Sequence, residues 1–246
     1  MSTKRCAAVV HLMPNLSIII PTRCVGPHLD PCLHACRYAF PGAEIIVVVA
    51  CSGADPVRPA ELPRPPGPIE GVAQVLYATT GRGPQCNAGA RAAAGELLLF
   101  LHDDSILPRQ AAVLTEAAFT EDNAELACFR LRFDDAHWLL GLYGWFSRFD
   151  SLLTSFGDQG ILIRRHFFDR LGGFPDWPLF EDVELLRRAR RRARVLKLPG
   201  VVTTSAVRFR RNGVVGQQLR NAGLIMRYLL GAAPTRLAEL YERGRR

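Results

Sequence analysis

Unbroken apolar runs mark the first hundred residues of the chain. The runs III at 18–20, IIVVV at 45–49 and LLLFL at 97–101 show no polar alternation, which is typical of strands buried on both faces of a sheet. Four strands are expected in this region: 16–21, 44–49, 72–77 and 97–101. Apolar residues at helical spacing predict helices at 30–40 and 84–94. Strands that alternate with helices predict parallel βαβ units, as in nucleotide-binding α/β proteins.

The pattern changes after residue 125. Apolar Phe129, Leu131 and Phe133 alternate with arginines, which predicts a half-exposed strand at 126–133. The aromatic-rich segment 137–156 is expected to be an amphipathic helix beside a site, with most of its rings in the core. The remaining expected elements are helices at 108–119, 166–171, 180–193, 214–230 and 235–241, a strand at 161–163 and short strands within 196–205.

Composition and charge narrow the class of protein. With 246 residues, 48% hydrophobic and 22% charged, the chain has the make-up of a soluble globular protein. The net charge of +8 favours an anionic partner, which could be a nucleotide, a phospholipid surface or nucleic acid. Six arginines lie between residues 187 and 194, but without interleaved aromatic residues, so nucleic acid is not expected.

The cysteines and apolar segments bear on location. The seven cysteines form no CxxC pair, which suggests buried thiols in a reducing cytoplasm. The first sixteen residues are too interrupted for a signal peptide, and no run reaches the roughly 18 apolar residues of a membrane span. The protein is predicted to be cytoplasmic, and association with the inner face of the membrane is kept as an alternative. The helix at 214–230 could lie on that membrane surface, although its apolar content suits packing equally well.

Candidate chemistry is concentrated where the strand at 97–101 ends. His102, Asp103 and Asp104 follow that strand, and ligands of open α/β sheets bind beyond the carboxyl ends of strands. Adjacent carboxylates there would suit a divalent cation that holds phosphate oxygens. A helix cap formed by Asp104 or Ser105 is the alternative. Similarly, Asp182 is either a first-turn carboxylate or a general base.

Five motifs occur in a characteristic order. They are GR-x-x-Q-x-NAGA at 81–90, LFLHDDSILP at 99–108, GDQG at 157–160, LGGFP at 171–175 and EDVE at 181–184. Together they resemble the family 2 glycosyltransferases of GT-A fold, and most closely the bacterial subgroup described as rSAM/selenodomain-associated. The resemblance extends from residue 16 to the final helix.

The resemblance implies an α/β fold with a mixed, mostly parallel central sheet. A single domain, 1–246, would contain a Rossmann-like nucleotide-sugar half at about 14–108, an acceptor half at about 109–210 and C-terminal helices at 211–246. The implied reaction moves a sugar from a nucleoside-diphosphate sugar to an acceptor, which could be a lipid, a glycan or a small molecule.

The resemblance also assigns residues. Asp104 matches the last Asp of the D-x-D motif, which binds Mg²⁺ or Mn²⁺ with the donor's pyrophosphate, and Asp182 matches the base of an inverting displacement. His102 stands where broader family members carry the first Asp. Donor-side residues are expected to be Pro21, Thr22, Arg23, Arg82, Asn87, His102 and Asp103; those on the acceptor side are Asp158, Gln159 and Glu181. Arg82 could reach a phosphate or point into solvent.

Two family features are missing. Residues 49–52 read VACS where the family usually has a base-reading Asp, and Asp55 is a poorly spaced substitute. The third metal ligand, often a His, is not evident, and Ser205 is a weak stand-in. A nucleotidyltransferase is less favoured because no glycine-rich basic loop follows the first strand. A binding or scaffold protein with weakened donor recognition is the non-enzyme alternative.

Overall fold

The computed structural model describes residues 15–51, 72 and 74–243, and the side chains among them up to Tyr241. Within these residues the strands are β1 (Leu16–Thr22), β2 (Glu44–Cys51), β3 (Gln74–Thr79), β4 (Leu97–Phe100), β5 (Leu126–Phe133), β6 (Ile161–Arg164) and β7 (Val195–Thr204). The strand expected at 72–77 is therefore shifted by two residues. The expected short strands within 196–205 form one continuous strand.

The helices are α1 (Asp30–Ala39), α2 (Arg82–Ala92), α3 (Ala111–Glu116), α4 (Trp138–Phe146), α5 (Arg165–Leu171), α6 (Glu181–Arg190), α7 (Val207–Asn212), α8 (Val214–Leu229) and α9 (Pro234–Arg243). Single 3₁₀ turns lie at Pro27–Leu29 and Gly157–Gln159, and a π-helical turn at Ala117–Glu121 extends α3. No helix in the described ranges is both long and apolar enough to cross a membrane.

The described strands form one mixed sheet in the order β3-β2-β1-β4-β6-β5-β7. β1 pairs in parallel with β2 and β4, β2 with β3, and β5 with β7. β6 runs antiparallel to both of its neighbours, β4 and β5. The predicted α/β fold with a mixed, mostly parallel sheet is confirmed.

Both faces of the sheet are covered, which explains the unbroken apolar runs. Ile18 and Ile20 of β1 join a core cluster with α1 on one face, while Ile19 joins a second cluster with α2, α5 and α6 on the other. All three isoleucines are fully buried. A strand with helices on both sides has no face for polar residues, so its sequence does not alternate.

The aromatic segment departs from prediction. The helix expected at 137–156 ends at Phe146, because the Ser147 hydroxyl donates to the carbonyl of Gly144 and accepts a hydrogen bond from the amide of Leu131. The prediction that most of its rings are core was wrong. α4 contacts the sheet through strand β5. Within residues 137–156, the exposed large aromatic residues are Trp138, Trp145, Phe146 and Phe149.

Close packing of α2 on the sheet depends on Gly89. A Cβ at this position would lie 2.4 Å from Cγ2 of Ile19 and 3.1 Å from Cγ2 of Val48. Gly89→Ala should therefore lower the free energy of unfolding by about 1–3 kcal/mol, the usual cost of overpacking. A Cβ on Gly216 of α8 would meet no described atom within 4 Å, so Gly216→Ala should be neutral or stabilising by up to about 1 kcal/mol. Urea unfolding of both variants measures the difference, and equal stabilities would contradict the packing account.

Candidate active site

A cleft opens at the edge of the sheet where the parallel strands end. β6 is antiparallel to β4, with Ile161 paired to Phe100, so the loop before β6 reaches the edge at which β4 finishes. The start of α6 arrives at the same place. The cleft is lined by residues that include Pro21, Arg82, Cys86, His102, Gly157, Glu181 and Asp182.

Gly157 joins three of these segments. Its amide donates a 2.6 Å hydrogen bond to Oδ2 of Asp182. A Cβ on Gly157 would lie 3.0 Å from that oxygen and 3.2 Å from Nε2 of His102, so a larger residue would push the segments apart. Oδ1 of Asp182 accepts a hydrogen bond of 2.8 Å from the amide of Val183. Both oxygens of Asp182 are thus oriented, and the carboxylate remains part of the cleft wall.

His102 is held in its neutral form. Burial lowers its pKa well below the usual value, and the positive charges of Arg82 and Arg208 lower it further. A neutral imidazole can both donate and accept a hydrogen bond through its two ring nitrogens. His102 therefore contributes a polar but uncharged group to the cleft at neutral pH.

Arg82 supplies positive charge to a wall rich in carboxylates. Burial opposes its charge, but Glu181, Asp182, Cys86 and Asp104 outweigh that effect and raise its pKa. A guanidinium nitrogen lies 3.9 Å from Oε1 of Glu181, and the Arg82 side chain is 43% exposed. Of the two alternatives for Arg82, the structure places it at the cleft with solvent access.

Two further carboxyl groups are strongly perturbed. Burial raises the pKa of Asp158 to about 7, and the charges of Asp182 and Asp104 add to the rise. Burial followed by the charge of Asp182 also raises the pKa of Glu181. Oδ1 of Asp158 is buried and has no hydrogen-bond partner among the described residues. The Tyr143 hydroxyl, whose pKa is raised by burial and by Asp158 and Asp182, belongs to the same cluster.

Asp103 faces the end of β1. Oδ2 of Asp103 lies 2.7 Å from Oγ1 of Thr22, which can donate its proton either there or to the carbonyl of Cys24 at 2.9 Å. Nε2 of His28 is 3.7 Å from the same carboxylate oxygen. The sequence pointed to Thr22 and Asp103 but not to His28. Arg23, the next predicted donor-side residue, is exposed at this edge.

Asp104 turns towards β7 instead. Its Oδ1 lies 3.3 Å from Oγ1 of Thr204, which donates to it. Thr204, and not the suggested Ser205, contacts Asp104; the Ser205 hydroxyl accepts a hydrogen bond from the amide of Val207 at the start of α7. The wall around Asp104 partly desolvates its carboxyl group, and this raises its pKa, with a further contribution from Asp103. Asp104 nevertheless keeps access to solvent.

The described residues contain no cluster of three or more His, Cys, Asp or Glu side chains arranged to hold a metal ion. Asp55, the suggested substitute for the missing base-reading Asp, lies outside the described residues. Val49, at the position where the family carries that Asp, is 7% exposed in β2 and packs in the core.

Two motif residues fasten elements together. The side-chain amide of Gln85 donates to the carbonyls of Thr22 and Val48, at 2.8 and 2.6 Å, and so ties α2 to the ends of β1 and β2. Asn87 exchanges two 2.9 Å hydrogen bonds with the backbone of Phe174. The donor-binding role expected for Asn87 is not supported by these contacts, because both ends of its amide are bound to this loop.

Gln159 lies beneath the cleft. It is fully buried, and its Oε1 accepts a hydrogen bond from Nζ of Lys197. Burial lowers the pKa of Lys197. Sequence reasoning missed Lys197, which lies within the strand predicted from its apolar neighbours. Gln159 therefore supports the GDQG loop from below, with its amide carbonyl engaged.

A family comparison decides what kind of protein has this cleft. The model of glycosyl transferase family 2 matches residues 17–168, which is more than half of the chain and includes the end of β4 and the GDQG loop. The chain belongs to glycosyl transferase family 2. This membership argues against the nucleotidyltransferase alternative.

Solved structures agree on the fold. The mannosyltransferase PcManGT from Pyrobaculum calidifontis, solved with GDP-Man and Mn²⁺, has a TM-score of 0.58 and 19% identity, with 93% of this chain and 69% of that chain covered. TarS 1–349 from S. aureus has a TM-score of 0.56 and 17% identity, with 78% of this chain covered. The chain spans 60% of that TarS fragment. These similarities support the GT-A fold; no protein with a curated description matches the sequence.

The raised pKa of Asp158 predicts how the free energy of unfolding changes with pH. Because the folded-state pKa of about 7 exceeds the ordinary value of 3.8, stability contributed by the protonated form is lost as pH rises through 7. Asp158→Asn, which mimics the neutral form, should raise the free energy of unfolding by about 2 kcal/mol at pH 8 and by little at pH 4. Thermal unfolding at both pH values measures this. Asp169→Asn, at an exposed position on α5, is the control, and a pH-independent effect of Asp158→Asn would contradict the assignment.

Proposed function

We propose that this glycosyltransferase transfers a sugar from a nucleoside-diphosphate sugar to an acceptor hydroxyl, with inversion at the anomeric carbon and with the help of a divalent cation. The observation that carries the proposal is the convergence of Arg82, His102 and Asp182 on one cleft at the carboxyl edge of the sheet. Two proteins of similar fold agree with such a donor, since TarS was solved with UDP-GlcNAc and PcManGT with GDP-Man.

The diphosphate would lie on the β1–α2 side of the cleft. Arg82 keeps its charge there and has solvent access, so it can pair with phosphate oxygens. Among the residues that the structure describes, no side chain caps the N-terminus of α2, and the positive end of the helix dipole favours an anion at that position. Thr22, Arg23 and Asp103 lie at the neighbouring end of β1 and complete the proposed donor side.

Asp104 fits a cation that arrives together with the diphosphate. Mg²⁺ is commonly held by one or two carboxylates plus substrate phosphates, so a three-residue cluster is not required. Partial desolvation and the neighbouring Asp103 make the charge of Asp104 costly, and a cation would relieve that cost. Bound there, Mg²⁺ or Mn²⁺ would neutralise charge on the leaving diphosphate.

Asp182 is the proposed general base. An acceptor oxygen would bond to the anomeric carbon as the bond from that carbon to the phosphate oxygen breaks, and the nucleoside diphosphate would leave with the electron pair. The acceptor proton would pass to Asp182, whose carboxylate is fixed by Gly157 and Val183. Asp158 and Glu181 lie beside it on the proposed acceptor side.

The rSAM/selenodomain-associated subgroup stays a prediction from the five motifs, and a cytoplasmic location stays a prediction from composition. The acceptor, whether lipid, glycan or small molecule, is proposed to bind between α4 and the GDQG loop. Tyr143 of α4 stacks on Phe156 there, with 6.3 Å between ring centroids, and its hydroxyl belongs to the cluster of Asp158 and Asp182.

Ligand binding tests the donor side. A saturating nucleoside diphosphate, UDP or GDP, should raise Tm by several degrees with Mn²⁺ and by less with EDTA, because a ligand at about 100 times its Kd stabilises by about 2.7 kcal/mol. Asp104→Asn should abolish the Mn²⁺-dependent part of the rise. The control is Asp122→Asn, at an exposed position just before β5, and this variant should keep the Mn²⁺-dependent rise in Tm. A full Mn²⁺-dependent rise in Asp104→Asn would contradict the proposed metal ligand.

Turnover tests the base. Asp182→Asn keeps an oxygen for the Gly157 amide but cannot take a proton, so it should lower kcat by about 100-fold or more. The nucleotide-dependent rise in Tm should remain. Activity is measured as nucleoside diphosphate released from a panel of nucleotide sugars, with Asp176→Asn as an exposed control. Normal turnover in Asp182→Asn would show that this residue is not the base and only connects α6 to the GDQG loop.

A further inference from the structure

Helix α8 exposes an apolar stripe. Val215, Leu219, Met226 and Leu229 are 55, 69, 53 and 43% exposed, respectively. Their spacing of four, seven and three residues places them on one side of a helix with 3.6 residues per turn, and exposed Ala222 fills the gap between them. We call these five residues the α8 stripe. A stripe of this kind is unusual on the surface of a soluble protein.

The opposite face of α8 fixes the helix to the rest of the protein. Gln217, Leu224 and Ile225 are buried. The Tyr228 hydroxyl donates a 3.0 Å hydrogen bond to Oε2 of Glu184, and its ring lies 5.1 Å from that of Phe180. Because the inner face is already packed, the α8 stripe is left to face outward.

Positive charge accompanies the stripe. Residues 205–243 contain seven arginines and two acidic residues, a net charge of +5. Arg220 and Arg227 are exposed and seven residues apart, so they form a row on the side of the helix between the stripe and the packed face. A helix with an apolar stripe on one side and arginines on its polar side is the pattern of a helix that lies in the surface of an anionic membrane.

Neighbouring α4 has matching properties. It contacts α8, and Trp138 and Trp145 are 71 and 45% exposed. The guanidinium of Arg148 lies 4.6 Å from the ring centre of Trp145. Tryptophan and arginine are both favoured where apolar lipid chains meet charged headgroups.

We propose that the α8 stripe docks the protein on the surface of an anionic phospholipid bilayer. A second copy of the chain is a poorer occupant, because pairing two stripes would bring together two surfaces of net positive charge. At 16 residues, α8 would lie in the plane of the membrane with its arginines against lipid phosphates. The proposal goes beyond the glycosyl-transfer reaction and does not depend on the donor or the metal.

Vesicle co-sedimentation tests the proposal. Wild-type protein should bind vesicles of phosphatidylcholine with phosphatidylglycerol, and bind phosphatidylcholine alone at least about tenfold more weakly. The double substitution Leu219→Asp and Met226→Asp should lower the partition coefficient for anionic vesicles about tenfold or more. Val113→Asp is the matched control, since Val113 is 68% exposed on α3 and should leave binding unchanged.

The charge contribution is tested separately. Arg227→Glu should weaken binding to anionic vesicles several-fold, whereas Arg191→Glu, an exposed arginine after α6, should weaken it less. Circular dichroism and Tm, both measured without lipid or nucleotide, show whether each variant is folded. Vesicle binding is measured without a sugar donor. A protein that does not bind vesicles could therefore still carry out the proposed glycosyl transfer, and a protein without that activity could still bind vesicles.

Three results would overturn the proposal. The first is unchanged vesicle binding by the folded double variant, and the second is equal binding to neutral and anionic vesicles. The third is a wild-type dimer in sedimentation velocity that the double substitution converts to a monomer, which would assign the stripe to a second copy of the chain.

Discussion

The hydrogen bond from the amide of Gly157 to Asp182 is the contact on which the site depends. It fastens the loop before β6 to the start of α6, and the same glycine leaves room for His102 at the end of β4. The contact is possible because β6 runs against its neighbours. Parallel strands present their carboxyl ends at this edge, whereas the antiparallel strand presents its beginning, so segments distant in sequence meet there.

The site brings together several carboxyl groups whose negative charges destabilise the folded protein when no ligand is bound. Asp104, Asp158, Glu181 and Asp182 share one region with Arg82, and burial and mutual repulsion raise the pKa of the first three. Such groups destabilise the folded state when they ionise. Perturbed carboxyl groups gathered at a cleft are typical of functional sites, where a ligand or proton compensates for them.

Much of the fold could be predicted because its strongest patterns have local causes. β1 and β2 are buried on both faces, so their apolar runs identified them, and Asp104 and Asp182 followed from motifs beside such elements. Contacts that bring distant residues together have no local signature. The hydrogen bond between Thr204 and Asp104 spans 100 residues, and the three apolar residues of β6 could not reveal that this strand is antiparallel.

The aromatic segment shows a different limit of sequence reasoning. Most rings of residues 137–156 were expected in the core because large rings are usually buried, yet Trp138 and Phe149 are among those that are exposed. A hydrophobic residue indicates only that burial would be favourable, and within the described part of the chain no protein surface covers this side of α4. In contrast, Tyr143 on the same helix is half-buried, near the carboxylates.

β5 and β6 are adjacent antiparallel strands, and residues 134–160 form a single excursion between them. Both ends of the excursion are anchored in the sheet, and lengthening such a connection costs little entropy. This excursion carries Tyr143 and Asp158, whereas Arg82 and Thr22 belong to the β1–α2 framework. Replacing the excursion would therefore change the surface around Tyr143 and Asp158 while the β1–α2 framework, which holds Arg82 and Thr22, stays in place.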